Sequence, residues 1–187
     1  MAKIVAILGS VTPPGRLSAA VSGALERARA AGHDTELFDL GQLKLGFADG
    51  RPIDQLDDDT PKLVTAVSGA EAVLLATPVY RATLTGALKN ALDLLPVEAL
   101  QGKPVAVVAM GATLHHYLGA ESHLRDILAW FGAWQLPTSV YLSSGDFAEG
   151  TLTESAAASL DQVLSALAVL ADALLLPGPA PLAAKRG

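Results

Sequence analysis

The chain has 187 residues, a formal net charge of −6 and no cysteine, a length typical of one compact domain. Hydrophobic residues make up 51% and charged residues 17%, which disfavours disorder and coiled coil and is typical of a layered α/β protein. The acidic balance argues against a nucleic-acid partner, and the missing cysteines exclude disulfides, thiol nucleophiles and cysteine-ligated metals.

Short apolar runs, which predict strands, alternate along the chain with segments of helical periodicity. In chain order they are strand Lys3–Leu8, helix 17–28, strand Thr35–Leu40, helix 60–70, strand Ala72–Ala76, helix 84–95, strand Val105–Ala109, helix 115–131, strand Thr138–Leu142 and helix 151–174. Two starts carry capping signals, with Thr60 as N-cap before Pro61 and Thr151-x-x-Glu154 as a capping box.

The alternation predicts a flavodoxin-like three-layer sandwich, in which a five-stranded parallel sheet of order 2-1-3-4-5 has helices on both faces. We expect one domain over residues 1–176 and a flexible C-terminal tail over 177–187. No segment reads as the roughly 20 apolar residues of a membrane span, and Ile4–Leu8 after Lys3 is too short for a signal-peptide core. We therefore expect a cytoplasmic protein without a membrane partner.

In such a sheet, ligands bind beyond the carboxyl ends of the strands, near the switch point between strands one and three. The loop after strand one places the hydroxyls of Ser10, Thr12 and Ser18 with Arg16 at a helix N-terminus, which is typical of a phosphate site. An ordinary turn with a solvated arginine is the alternative. The glycine spacing fits neither a Walker A loop nor a dinucleotide-binding fingerprint, and no acids follow strand one as a phosphorelay receiver requires.

Two further loops offer surfaces for a flat ring. The second, Thr77-Pro78-Val79-Tyr80, combines a rigid turn with an apolar and an aromatic side chain. The third, Gly111-Ala112-Thr113, lacks bulk, so a planar ligand can approach its backbone. A phosphate loop beside two ring surfaces indicates a mononucleotide with a tricyclic head, FMN. We predict no metal site, because His115, His116 and His123 have no carboxylate at ligand spacing and fit a surface helix better.

Several motifs resemble the NAD(P)H-dependent FMN reductases, most closely the reductase components of two-component alkanesulfonate and methanesulfonate monooxygenases. They are Gly9-Ser10, Gly15–Ser18, Ala76–Arg81, Gly86–Lys89, Leu92–Pro96 and Ala99–Lys103. The resemblance implies that Ser10, Arg16 and Ser18 bind the FMN phosphate, and Thr12 stands where many relatives carry arginine. The predicted cofactor-binding residues are Ser10, Thr12, Arg16, Leu17, Ser18, Thr77, Pro78, Val79, Tyr80, Gly111, Ala112 and Thr113.

The resemblance also implies hydride transfer from NADPH or NADH to FMN, with reduced FMN supplied to a partner monooxygenase. No catalytic side chain is predicted, because the flavin carries the redox chemistry. The alternatives are a reductase of quinones, azo compounds or metals that retains FMN, and a flavodoxin-like electron carrier without turnover. We further expect a homodimer or homotetramer, because helices 84–95 and 115–131 have apolar residues, such as Leu94 and Ala87, beyond one buried stripe.

Overall fold

A parallel β-sheet lies at the centre of the structure, a computed structural model that describes residues 1–12, 14–114 and 117–173. Its strands are β1 (Lys3–Leu8), β2 (Asp34–Asp39), β3 (Ala72–Pro78), β4 (Pro104–Met110), β5 (Trp134–Gln135) and β6 (Val140–Leu142). The order is β2-β1-β3-β4-β5, and β6 pairs with the other end of β4. The predicted order is confirmed.

Helices cover both faces of the sheet because both faces are apolar. They are α1 (Arg16–Ala30), α2 (Thr60–Ser68), α3 (Gly86–Asp93), α4 (Tyr117–Phe131) and α5 (Glu154–Ala173). One core cluster joins α1 and α5 to the sheet, and a second joins α2, α3 and α4. In β3, Val73 and Leu75 belong to one cluster and Leu74 and Ala76 to the other. A strand buried on both faces is apolar throughout, which explains why these runs are visible in the sequence.

The last strand differs from its prediction. The expected strand Thr138–Leu142 is replaced by β5 and β6, with residues 136–139 between them outside the strands. Pro137 has no N–H for a ladder, and its carbonyl accepts a hydrogen bond from the Arg125 guanidinium. The Ser139 hydroxyl donates to Glu121, which also pairs with Arg125. The segment between the two strands is therefore tied to α4.

Both predicted N-cap residues are wrong, although Pro61 lies in the first turn of α2 as expected. Asp59 occupies the N-cap position of α2, and the Thr60 N–H donates to Asp58 Oδ1 at 2.8 Å. Hydrogen bonding from Thr60 and then from the Gly46 N–H holds the pKa of Asp58 below its ordinary value. At α5, Thr151 lies in the hairpin of β7 (Phe147–Ala148) and β8 (Thr151–Leu152), and the Thr153 hydroxyl accepts from a helix N–H instead.

The helix α5 is, within the described part of the chain, long and apolar enough to cross a membrane by length and composition. The expectation that no segment meets this criterion was wrong. Six of its residues are buried in the core cluster shared with α1 and the sheet: Ala156, Leu160, Val163, Leu164, Leu167 and Ala168. The apolar character of α5 thus matches its packing as a core helix. The predicted tail, 177–187, lies outside the described residues.

Candidate functional site

A cleft of about 120 Å³ opens at the carboxyl ends of β1 and β3, the switch point of the sheet. Its walls come from the loop after β1, the first turn of α1, the end of β2 and the loop after β3. Seven of the predicted site residues line it: Ser10, Thr12, Arg16, Leu17, Ser18, Pro78 and Tyr80. The predicted residues Thr77, Val79, Gly111, Ala112 and Thr113 lie outside this lining.

The N-terminus of α1 forms the polar end of the cleft. Gly15 occupies the N-cap position without a side-chain hydrogen bond, and the first turn contains no acid. In the loop after β1, Ser10 Oγ and Thr12 Oγ1 lie 2.8 Å apart. An uncapped helix N-terminus has free N–H groups and a positive dipole end, which favour an anion. This end of the cleft suits a phosphate group.

Arg16 is held over the cleft by residues far away in the sequence. Its guanidinium carbon lies 5.1 Å from the centroid of the Phe147 ring, in the β7–β8 hairpin. Its Nη2 donates to the Ser144 hydroxyl at 3.4 Å. The hairpin turns at Glu149 and Gly150, both with positive φ. These contacts orient the guanidinium but satisfy few of its five donors, so the others remain available to an anion.

The loop after β3 contributes an aromatic side chain on a tight turn. Tyr80 and Thr83 exchange two backbone hydrogen bonds of 3.0 and 3.2 Å, and between them Arg81 and Ala82 have φ of 53° and 64°. Two consecutive non-glycine residues in the left-handed region are costly, and such strain concentrates at functional sites. Tyr80 is 47% exposed and lines the cleft. Its ring provides a surface against which a flat ligand can stack.

Helix α4 contacts the turn between Tyr80 and Thr83. Thr83 Oγ1 lies 2.6 Å from His123 Nδ1, which gives this histidine a partner in the second loop. A side chain at Gly119 would overlap the carbonyl group of Ala82, so α4 packs tightly on the turn. The other two histidines considered above, His115 and His116, lie outside the described residues.

The glycine of the third loop lies against a tyrosine side chain. An added Cβ at Gly111 would overlap the Tyr141 hydroxyl, which donates to the Thr113 carbonyl at 2.7 Å. The packing of Tyr141 therefore requires a glycine at position 111, and the approach of a flat ring to the backbone of this loop stays a prediction. Burial raises the pKa of Tyr141 and keeps its hydroxyl protonated as a donor. Ala112 and Thr113 remain exposed next to it.

Two further polar residues, Thr77 and Asp39, lie at or near the cleft. Thr77 is fully buried, donates to the Pro78 carbonyl and accepts from the Thr85 N–H, so its hydroxyl faces the protein interior. Asp39, at the carboxyl end of β2, lines the cleft, and its Oδ1 accepts from the Gly41 N–H at 2.9 Å. Sequence reasoning missed Asp39, although an acid that ends a strand next to the switch point was a usable signal. Its carboxylate disfavours an anion on that wall and leaves the Arg16 side for a phosphate.

Comparisons with known sequences identify the family of the chain. A family model described as NADPH-dependent FMN reductase matches residues 2–147. An NAD(P)H-dependent FAD/FMN reductase of Geobacillus thermodenitrificans is 39% identical over 116 residues, which are 62% of this chain and 63%, just under two thirds, of that protein. An NADH-dependent FMN reductase, SfnF, of Pseudomonas putida is 30% identical over 156 residues, covering 82% of this chain and 84% of that protein.

A solved structure matches over a similar range. The apo form of an NADH:FMN oxidoreductase superposes with a TM-score of 0.78 at 25% identity. The match covers 90% of this chain and 89% of that one.

Proposed function

The chain belongs to the NADPH-dependent FMN reductase family and is an NAD(P)H-dependent flavin oxidoreductase, and on that premise we propose that it releases reduced FMN to a partner monooxygenase. The observation that carries this proposal is the exposure of the site. Thr12, Arg16 and Tyr80 all face solvent at the cleft. A flavin held on such open walls can leave after reduction, as a substrate must. The resemblance to monooxygenase reductase components supports a monooxygenase as the protein that receives the reduced FMN.

The residues around the cleft suit a phosphorylated flavin such as FMN. The N–H groups of the first turn of α1 and the Arg16 guanidinium would hold the phosphate, with the hydroxyls of Ser10 and Ser18 beside it. The exposed ring of Tyr80 lines the same cleft and offers a surface for the flat ring system. When bound, FMN supplies the redox chemistry because its ring accepts hydride from a nicotinamide. The protein binds and orients, and a general acid or base is not required of its side chains.

The decisive experiment is aerobic oxidation of NADPH and NADH by the purified protein, with and without added FMN. We expect a colourless protein whose rate depends on added FMN. A yellow protein that reduces quinone, azo or metal acceptors without added FMN would support the flavin-retaining alternative. Absence of NADPH and NADH oxidation by flavin-loaded protein would favour the electron carrier and contradict the proposal. A monooxygenase of the alkanesulfonate class, supplied with an alkanesulfonate and O2, should then form aldehyde and sulfite only when this enzyme, FMN and NADPH or NADH are all present.

We also propose that copies of the chain associate through α3 and α4. A groove of about 550 Å³ lies between these helices and includes Leu92, Ile127 and Trp130, which is 53% exposed. The apolar excess is smaller than the sequence suggested, because Leu94 is buried within the protomer. Light scattering should report a dimer or tetramer, and Trp130→Arg should shift it to monomer. A monomeric wild-type protein at micromolar concentration would contradict this interface.

A further inference from the structure

A buried threonine lies between the two loops that form the cleft. Thr85 is 4% exposed and occupies the N-cap position of α3. Its hydroxyl donates to the Gly9 carbonyl at 2.5 Å and accepts from the Leu88 N–H at 3.1 Å. Its own N–H donates to Thr77 Oγ1 at 3.2 Å. A single residue is thus bonded to the start of the phosphate loop, to the end of β3 and to the first turn of α3.

The packing around this threonine leaves the phosphate loop little freedom. A Cβ added to Gly9 would lie 2.7 Å from Leu88 Cβ and 3.2 Å from Thr85 Oγ1. The Gly9 N–H donates to the Ala76 carbonyl at 2.7 Å, so the residue is held on both sides of its Cα. Because only a glycine fits this approach, the loop after β1 sits directly on α3.

The bond to Gly9 also sets the direction of the next N–H. In a trans peptide the carbonyl and the following N–H point in opposite directions. Since Thr85 holds the Gly9 carbonyl towards α3, the Ser10 N–H points away from α3. Ser10 lies in the lining of the cleft. The orientation of a backbone donor at the phosphate end is therefore determined by a side chain that does not line the cleft.

We propose that Thr85 is a positioning residue of the flavin site. It orients the Gly9–Ser10 peptide and fixes the position of the phosphate loop relative to the loop of Pro78 and Tyr80. The inference rests on the proposed function, since one ligand has to contact both loops at once. Thr85 would then contribute to a preference for a phosphorylated flavin. Bound FMN would contact both loops, whereas riboflavin lacks the phosphate that the first loop would hold.

The test measures equilibrium dissociation constants of FMN and riboflavin by quenching of flavin fluorescence. Thr85→Val keeps the shape of the side chain and removes the hydroxyl. We expect the FMN dissociation constant to rise about tenfold, the factor that corresponds to loss of one hydrogen bond from the Ser10 N–H to the phosphate, while that of riboflavin changes by less than about threefold. Thr85→Ser, which restores the hydroxyl, should recover wild-type affinity for FMN.

The chain offers a matched control in Thr35→Val. Thr35 is 6% exposed, and its hydroxyl donates to the Leu25 carbonyl at 3.3 Å, at the opposite end of the sheet from the cleft. This variant loses an equivalent buried hydrogen bond, and its ratio of FMN to riboflavin affinity should stay at the wild-type value. A change in stability without a change in that ratio at Thr85→Val would mark the residue as structural only and overturn the proposal.

A second variant keeps the proposal testable if Thr85→Val does not fold. Gly9→Ala leaves the Thr85 hydroxyl in place but forces the loop away from Leu88, so it should also weaken FMN more than riboflavin. Equal weakening of the two flavins would overturn the inference. Because these measurements contain no nicotinamide nucleotide, their outcome is independent of turnover. A protein that binds FMN with the expected preference but does not oxidise NADPH or NADH would refute the proposed function alone.

Discussion

Replacement of Arg16 by alanine is the most direct perturbation of the phosphate end of the cleft. The guanidinium lies over the Phe147 ring and near the Ser144 hydroxyl, at the uncapped N-terminus of α1. Arg16→Ala removes a charge that can reach the FMN phosphate and leaves the other donors of the helix terminus in place. Its effect should therefore depend on whether the flavin carries a phosphate.

The magnitude follows from the position of the side chain. A charge-assisted hydrogen bond contributes about 1.5–3 kcal/mol, and the lower end applies to Arg16 because the side chain is exposed to solvent. A loss of about 1.5 kcal/mol corresponds to a weakening of roughly tenfold for FMN. Riboflavin has no phosphate and should keep its affinity. Loss of packing on Phe147 would affect both flavins alike, so the ratio of their affinities isolates the phosphate contact.

Fluorescence titration with FMN and riboflavin measures both affinities, and Arg27→Ala is the matched control. Arg27 lies in the same helix, carries the same charge and pairs with Asp161 of α5 at 2.8 Å, outside the cleft lining. That variant should leave both affinities unchanged at moderate salt. An equal loss for FMN and riboflavin in Arg16→Ala, or an equal effect of Arg27→Ala, would refute the assignment of Arg16 to the phosphate.

Three further predictions concern the scaffold of the site and of the sheet. Gly111→Ala should lower the free energy of unfolding, measured by thermal melts, by about 1–3 kcal/mol, because the new methyl group overlaps the Tyr141 hydroxyl. The double variant Gly111→Ala with Tyr141→Phe should recover part of this loss. If the effects of the two substitutions were purely additive, the overlap would not be the cause. Asp58→Ala should lower the free energy of unfolding in urea by about 1 kcal/mol at neutral pH. Because the pKa of Asp58 is lowered in the folded state, the difference in stability between wild type and variant should vanish as the pH falls through this folded-state pKa. A stability difference that persists at strongly acidic pH would contradict the role of the Asp58 carboxylate. Burial lowers the pKa of Lys103 from 10.5 to about 8. Between pH 8 and 10.5 the unfolded state therefore binds more protons than the folded state, so the stability of the wild type relative to Lys103→Met should increase as the pH rises. A decrease over this range would show that the hydrogen bonds from Lys103 to the carbonyls at the end of α2 outweigh the effect of burial.

The strand order and the meeting of four polar residues in one cleft could be predicted because the relevant signals are local. The central strands β1, β3 and β4 are buried on both faces, and a continuous apolar run of that kind is visible without knowledge of its partners. Ser10, Thr12, Arg16 and Ser18 are within nine residues of one another and follow a strand end directly. Their meeting place requires only the general rule for ligand sites in parallel sheets.

The supports of the site could not be predicted, because they come from distant parts of the chain. Arg16 meets Phe147, and the Thr85 hydroxyl meets Gly9, across 76 residues of sequence in the latter pair. A pattern of apolar spacing shows which face of an element is buried but not which polar residue of another element it meets. Tyr141 illustrates this limit, since nothing in the spacing of the sequence shows that its hydroxyl lies beside Gly111.

The break between β5 and β6 has a consequence for strand pairing between molecules at the edge of the sheet. A long, regular edge strand presents unpaired N–H and C=O groups to which a strand of another molecule can add. Here that edge consists of strands of two and three residues, and the segment between them is fastened to α4 through Arg125 and Glu121. The opposite edge, β2, carries acidic residues at Asp34, Glu36 and Asp39. Both borders of the sheet therefore carry features that disfavour the addition of a strand from another molecule.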